Sequence, residues 1–202
     1  MNYIDLSLEK LRNDVLTAAD DIVKHNRIDI IIYVAKAGYP IAKFMNEKVH
    51  AEIIGIEATR KGNKLKSYLG WVFKYCPRIF RDILITIELK SKIHKNNIKR
   101  NVSFHGSIDK VDISKIKNVL VVDDSVDTGY SMKEVVSEVR KKFPGAEIYT
   151  YALNVWHDSV EVFDVDYSSY RDTVIRAPMS KDSKEYNAFY DMYINDTKNG
   201  MI

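Results

Sequence analysis

Three aspartates lie within five residues, Asp123, Asp124 and Asp127, and are followed at once by Thr128, Gly129, Tyr130 and Ser131. Ionised carboxylates only accept hydrogen bonds, so an adjacent pair suits vicinal sugar hydroxyls or the waters of a Mg²⁺ ion. A Gly-containing hydroxyl loop that opens a helix presents backbone N–H groups with no intrahelical partner at the positive end of the helix dipole, which suits a phosphate. Gly129 permits the tight turn, and the Thr128 and Ser131 hydroxyls add donors. Asp127, between the carboxylate pair and the loop, is placed to exchange a proton with a group bound above the sugar. Together these residue types imply a site for a phosphorylated sugar.

Such a site needs elements that hold it. Residues 118–122 are almost wholly β-branched or leucine, as expected for a strand covered on both faces of a parallel sheet. Met132, Val135, Val136, Val139 and Phe143 recur at helical spacing, which predicts an amphipathic helix over 131–142. The join between them lies at the carboxyl end of a strand, where open α/β sheets bind ligands. A second buried strand is predicted over 28–34, ahead of Ala35-Lys36-Ala37-Gly38-Tyr39-Pro40. Other proteins use parts of the same letters. Val-Asp-Asp-Ser opens phosphorelay receiver domains, but too little chain remains after residue 124 for that fold. Asp-Thr-Gly marks aspartic proteases in an all-β context, against which the following helix argues. The plainest reading is a strand-turn-helix join whose carboxylates cap the helix.

Over residues 119–132 the sequence resembles the diphosphate-sugar motif of type I phosphoribosyltransferases, which use 5-phosphoribosyl-1-diphosphate (PRPP). That resemblance implies an α/β fold with a twisted, mostly parallel central sheet flanked by helices and a small hood over the active site. It implies that Asp123 and Asp124 hold the ribose, and through water a Mg²⁺ ion bound mainly by PRPP. Asp127, Thr128, Gly129, Tyr130 and Ser131 then hold the 5-phosphate, and Asp127 also takes the base proton. Residues 35–40 look like the family's diphosphate loop, with Lys36, Ala37 and Gly38 as its basic and small residues and Ala37 in place of the more usual glycine. In several relatives the peptide before the basic residue is cis, here Ala35-Lys36. Arg60 is a further candidate for the diphosphate, and residues 65–68 resemble the start of a mobile cover containing Ser67 and Tyr68.

Residues 172–179 are similar to the segment that closes over the purine in bacterial xanthine–guanine phosphoribosyltransferases. Val174 stands where those proteins carry an aromatic residue, and Met179 where they carry Trp. The lysine that reads the purine 6-oxo group is absent from residues 154–156. Trp156, Val174 and Ile175 are the candidate base contacts, with Tyr167 and Tyr170 as alternative stacking surfaces. The implied activity is transfer of ribose 5-phosphate from PRPP to a nucleobase, a 6-oxopurine in the nearest pattern. A PRPP- or nucleotide-sensing regulator of the same fold, or a transferase with a non-purine acceptor, stays open.

Composition fits one domain. With 202 residues, 46% hydrophobic and 29% charged, the chain is long enough for a substantial core and ordinary for a globular protein. The expected division is a single domain over 1–202, with a hood from parts of 1–25 and 150–195 and a mobile loop within about 58–105. The single cysteine, Cys76, excludes an intramolecular disulfide and a multi-cysteine metal site. No signal-peptide pattern opens the chain and no apolar run could span a bilayer, so a cytoplasmic protein without a membrane partner is expected. A net charge of +3 does not support a nucleic-acid partner. The resemblance implies a homodimer. Helices are predicted over 6–24, 40–49 and 181–193, strands over 52–57 and 147–156, and a β-hairpin over 101–106 and 108–111. Periodicity leaves 71–90 as helix or strand.

Overall fold

The computed structural model describes residues 2–60 and 100–198. It divides into two compact units, Met1–Ala58 with Val102–Ile202, and Thr59–Asn101. The expected cover residues Ser67 and Tyr68, and the ambiguous segment 71–90, lie outside the described residues.

Eight strands are present among the described residues: β1 (Asn2–Asp5), β2 (Ile30–Val34), β3 (Glu52–Arg60), β4 (Arg100–Phe104), β5 (Asn118–Val126), β6 (Glu147–Val155), β7 (Tyr167–Arg171) and β8 (Thr173–Arg176). Four helices accompany them: α1 (Leu8–His25), α2 (Tyr39–Val49), α3 (Tyr130–Lys142) and α4 (Tyr186–Lys198). Six strands form one sheet in the order β4-β3-β2-β5-β6-β7, with β2, β3, β5, β6 and β7 mutually parallel. Over residues 30–33 of β2 and 119–122 of β5 its central strands are buried and hydrophobic because both faces are covered. The period of two splits them between two cores. Ile31, Tyr33, Leu120 and Val122 pack with α1, α2 and α4, while Ile30, Ile32, Val119 and Val121 pack with α3 and Phe143.

Helix α1 shows how local sequence and packing agree. The Ser7 hydroxyl caps it by accepting the Lys10 N–H at 3.1 Å. Leu11, Val15, Ala19 and Ile22 form its fully buried stripe, and burial of each of the three larger side chains is worth about 1.5–3 kcal/mol. Arg12 forks onto Glu47 of α2 across the helix pair. No described helix is long and apolar enough to cross a membrane.

The sheet order makes a topological switch. From β2 the chain proceeds through α2 to β3 on one side, whereas β5 proceeds through α3 to β6 on the other. The loops leaving β2 and β5 therefore diverge from neighbouring strand ends, opening a crevice where such sheets bind ligands. Register brings Tyr33 opposite Val122, so the loop at 35–38 starts beside Asp123.

Four elements differ from the sequence-based expectation. The strand over 100–104 is real, but the second arm of the expected hairpin is a 3-10 turn, Gly106–Lys110. There the Ile108 and Val111 N–H groups bond three residues back to His105 and Ile108, and Ile108 alone is driven into the core. Helix α4 begins at Tyr186 rather than 181, because the Ser-rich stretch before it satisfies its own backbone in turns; Ser183 N–H donates to Ser180 and Glu185 N–H to the Ser183 hydroxyl. Strand β5 continues past Val122 and carries Asp123, Asp124 and Ser125 within the sheet. Strands β1 and β8 pair parallel as a separate two-stranded sheet, too short for periodicity to reveal.

Candidate active site

At the end of β5 the Asp123 side chain is 6% exposed and accepts the Asp124 N–H at 2.9 Å. Burial first, and the neighbouring Asp124 charge second, hold the Asp123 carboxyl well above the usual carboxylate range. Burial likewise raises Asp124. No lysine, arginine or histidine forms an ion pair with either one among the described residues. A raised folded-state value means that the folded chain holds protons the unfolded chain has already released. Stability should therefore fall as pH climbs from about 4 through the folded value. Asp123→Asn keeps an acceptor for the Asp124 N–H and removes the buried charge. We expect it to raise the melting temperature of the ligand-free protein by a margin that grows from pH 4 to pH 8, measurable by thermal denaturation. A variant that melts lower at pH 8, or a gap independent of pH, would contradict this electrostatic account.

The loop into α3 has the form of an anion nest. Gly129 takes φ 74°, which L side chains rarely adopt, and leads into Tyr130, the first residue of α3. The backbone N–H groups of residues 127–132 have no acceptor among the described backbone, and the first to bond is that of Lys133, to Gly129 at 2.9 Å. Thr128 and Tyr130 are exposed and Ser131 half-buried, so the expected phosphate residues line one loop. Asp127 is exposed, and its carboxylate accepts the Ser125 hydroxyl at 2.5 Å. Sequence reasoning had no role for Ser125; its signal is a hydroxyl two residues before Asp127, facing the same side of the strand end.

Across the crevice, the Ala35–Lys36 peptide is cis, matching the resemblance. Gly38 sits so close to both strands that a Cβ there would lie 2.8 Å from the Val34 carbonyl oxygen and 2.9 Å from that of Val122. This contact ties the loop after β2 to the strand that carries the carboxylates. The Gly38 N–H donates to Val34 O at 2.9 Å and is not open to a ligand, so Gly38 serves the loop by its close packing. The N–H groups of Lys36 and Ala37 have no acceptor among the described backbone. The Lys36 ammonium lies over the rings of Tyr190 and Tyr193 on α4, 5.8 Å from each centroid, a contact that nothing in the loop sequence announced. Arg60 is the last residue of β3.

A cavity of about 180 Å³ opens beside the carboxylates, lined by Asp124, Ser125, Asn154, Trp156, Ile175 and Ser180 among others. Trp156, Val174 and Ile175, the expected base contacts, all border it. Tyr167 and Tyr170 do not: their hydroxyls bond Asn26 at 2.9 Å and Asp14 at 2.6 Å, which places them against α1. Asn154, at the end of β6, is 4% exposed and engages the backbone of β8 twice. Its Nδ2 donates to Thr173 O at 2.9 Å, and its Oδ1 accepts the Thr173 N–H at 3.4 Å.

Scans of the sequence against protein-family models and curated proteins return no match. Solved structures do match. A purine phosphoribosyltransferase from Pyrococcus horikoshii is 18% identical, with 90% of this chain and 95% of that one covered at a TM-score of 0.60. The xanthine-guanine-hypoxanthine phosphoribosyltransferase of Helicobacter pylori is 17% identical, covering 93% and 99% at 0.63. A hypothetical protein from Neisseria gonorrhoeae with bound ppGpp is 16% identical, covering 95% and 97% at 0.59. The chain has the type I phosphoribosyltransferase fold, a parallel-dominated sheet flanked by helices. At such identities the likeness fixes the fold and leaves the chemistry to the residues of the site.

Proposed function

We propose that the protein transfers ribose 5-phosphate from PRPP to a purine base, 6-oxopurines included, with release of diphosphate. One observation carries this reading: the anion nest, the carboxylates of buried Asp123 and half-buried Asp124, and the Lys36 loop lie side by side, with Gly38 packing that loop onto the strand that carries the carboxylates. A phosphate, two sugar hydroxyls and a diphosphate need these three groups in that order.

In the proposed reaction the bond from C1′ to the diphosphate oxygen breaks and its electron pair leaves with diphosphate. The base nitrogen then bonds C1′, and the proton on that nitrogen passes to Asp127. The N–H groups of residues 128–131 hold the 5-phosphate, and Asp123 and Asp124 accept the ribose hydroxyls. Holding both partners in line supplies much of the rate enhancement. The Lys36 ammonium, with the free N–H groups of Lys36 and Ala37, offsets charge on the departing diphosphate. Asp123 and Asp124 offer carboxylate oxygens at the end of β5, the donor type a Mg²⁺ ion takes. They would reach the waters of an ion resting chiefly on PRPP oxygens, which when bound would neutralise diphosphate charge.

Lys36→Ala should weaken binding of PRPP and diphosphate about 10- to 100-fold, the usual worth of a charge-assisted contact, and base binding much less. Equal losses on both ligands, measured by calorimetry, would overturn the loop assignment. A non-catalytic sensor of PRPP or nucleotides is the second reading, favoured by the lack of a lysine at residues 154–156. A diphosphate-release assay with Mg²⁺, PRPP and a panel of purines and pyrimidines separates the two: release that requires a purine supports transfer, and PRPP binding without release under every base supports the sensor.

A further inference from the structure

The loop at 35–38 is held from one side by helix α4. The Lys36 ammonium lies 5.8 Å from the ring centroids of both Tyr190 and Tyr193, which stand about one turn apart on that helix. Both rings are themselves fixed. Tyr190 stacks on Tyr186, with centroids 6.0 Å and planes 21° apart, and Tyr193 meets Tyr39 edge to face at 5.4 Å. Tyr39, the first residue of α2, in turn meets Tyr33 of β2 at 5.4 Å, so the rings join α4 to the chain on either side of the loop. Asp196 follows about one turn beyond Tyr193, yet its carboxylate is engaged elsewhere, accepting the Tyr39 hydroxyl and the Lys43 ammonium. Lys36 forms no ion pair among the described residues.

We propose that Tyr190 and Tyr193 are positioning residues for diphosphate capture, holding the Lys36 ammonium in place by their ring faces without neutralising it. The assignment of diphosphate to this loop rests on the phosphoribosyl-transfer reading. A carboxylate would also hold the ammonium, but its charge would offset the lysine's, and an incoming anion would have to break that pair. A ring face attracts a cation through its quadrupole and carries no net charge. The full positive charge therefore stays open to a ligand. The lysine stem is long and freely rotating, and a head group already held by two rings loses less freedom when an anion arrives. The N–H groups of Lys36 and Ala37 have no acceptor among the described backbone. The loop thus offers an anion one held charge beside two main-chain donors, and α4 sets how well that charge is held. Both tyrosines act through Lys36 and not on the ligand.

The test is calorimetry on the full chain with inorganic diphosphate and Mg²⁺, which needs no turnover. Tyr190 is 38% exposed, so changing it leaves the core packed. Tyr190→Leu should weaken diphosphate binding about 3- to 10-fold, the worth of one cation–π contact. Ribose 5-phosphate, held at 128–131, should bind this variant as it binds wild type. Tyr190→Phe keeps the ring face and should restore diphosphate binding to within about 2-fold of wild type. In a Lys36→Ala background Tyr190→Leu should cost nothing further, because the two residues act through one contact. Four results would each overturn the proposal while leaving transfer intact: diphosphate binding unchanged or tighter in Tyr190→Leu, an equal loss on ribose 5-phosphate, no recovery with phenylalanine, or the same loss without Lys36. Wild-type diphosphate affinity in Lys36→Ala alone would overturn the loop assignment and this role with it. The expected binding pattern, with no nucleotide formed from any base, would remove transfer and leave the positioning role standing.

Discussion

Asp127→Asn is expected to lower turnover about 10²- to 10⁴-fold while PRPP still binds. The range is the usual worth of a positioned general base, and the geometry supports the position. Asp127 follows the last residue of β5 and precedes the anion nest, so a sugar phosphate anchored at 128–131 would place its anomeric carbon and incoming base near this carboxylate. The Ser125 hydroxyl, 2.5 Å away, occupies one carboxylate oxygen and leaves the other free to take a proton. Asparagine keeps the size and an oxygen for Ser125 but cannot accept that proton. Pre-steady-state rates with saturating PRPP and base, alongside PRPP titration, would check both halves of the expectation. Unchanged turnover in a folded variant removes Asp127 from the role, and lost PRPP binding makes it a phosphate-loop residue only.

Gly129→Ala should abolish 5-phosphate binding and destabilise the fold. Two costs act together at this position. A left-handed conformation for alanine costs about 1–2 kcal/mol. The new Cβ would also sit 2.8 Å from the Ser159 carbonyl oxygen and 3.0 Å from the Phe163 nitrogen, both main-chain atoms that cannot rotate aside. Forcing an extra methyl into such a contact typically costs about 1–3 kcal/mol. The sum, about 2–5 kcal/mol, is a large part of the stability of a small domain. Denaturant unfolding and ribose 5-phosphate titration would show both effects. A variant that melts within error of wild type and binds ribose 5-phosphate equally well would mean that the loop has another conformation in solution.

The sequence was most informative where chemistry and backbone demand coincide. Asp123 to Ser131 join a buried strand to a helix, and both elements carry unambiguous periodicity, so the strand, turn and helix that hold the candidate phosphosugar residues were legible in the sequence. The Lys36 loop was legible only by its resemblance and its place one βα unit upstream. Its real constraint, Gly38 against the carbonyls of Val34 and Val122, is a contact between strands that no local pattern encodes. The acceptor end was least legible. There Asn154 reads as an ordinary polar residue until Thr173 lies beside it. The same holds for Lys36 over Tyr190 and Tyr193, a meeting of residues more than 150 positions apart. The false hairpin at 108–111 arose because a single buried isoleucine in a 3-10 turn mimics one arm of an alternating strand.

Phosphoribosyl transfer is the central claim, and labelled PRPP tests it most directly. Wild-type protein, Mg²⁺ and PRPP labelled at the 5-phosphate are incubated with adenine, hypoxanthine or guanine, and the products are separated. The account predicts a labelled nucleoside 5′-monophosphate with stoichiometric diphosphate, dependent on the base and lost in Asp127→Asn. Binding of labelled PRPP with no nucleotide formed from any purine would contradict it.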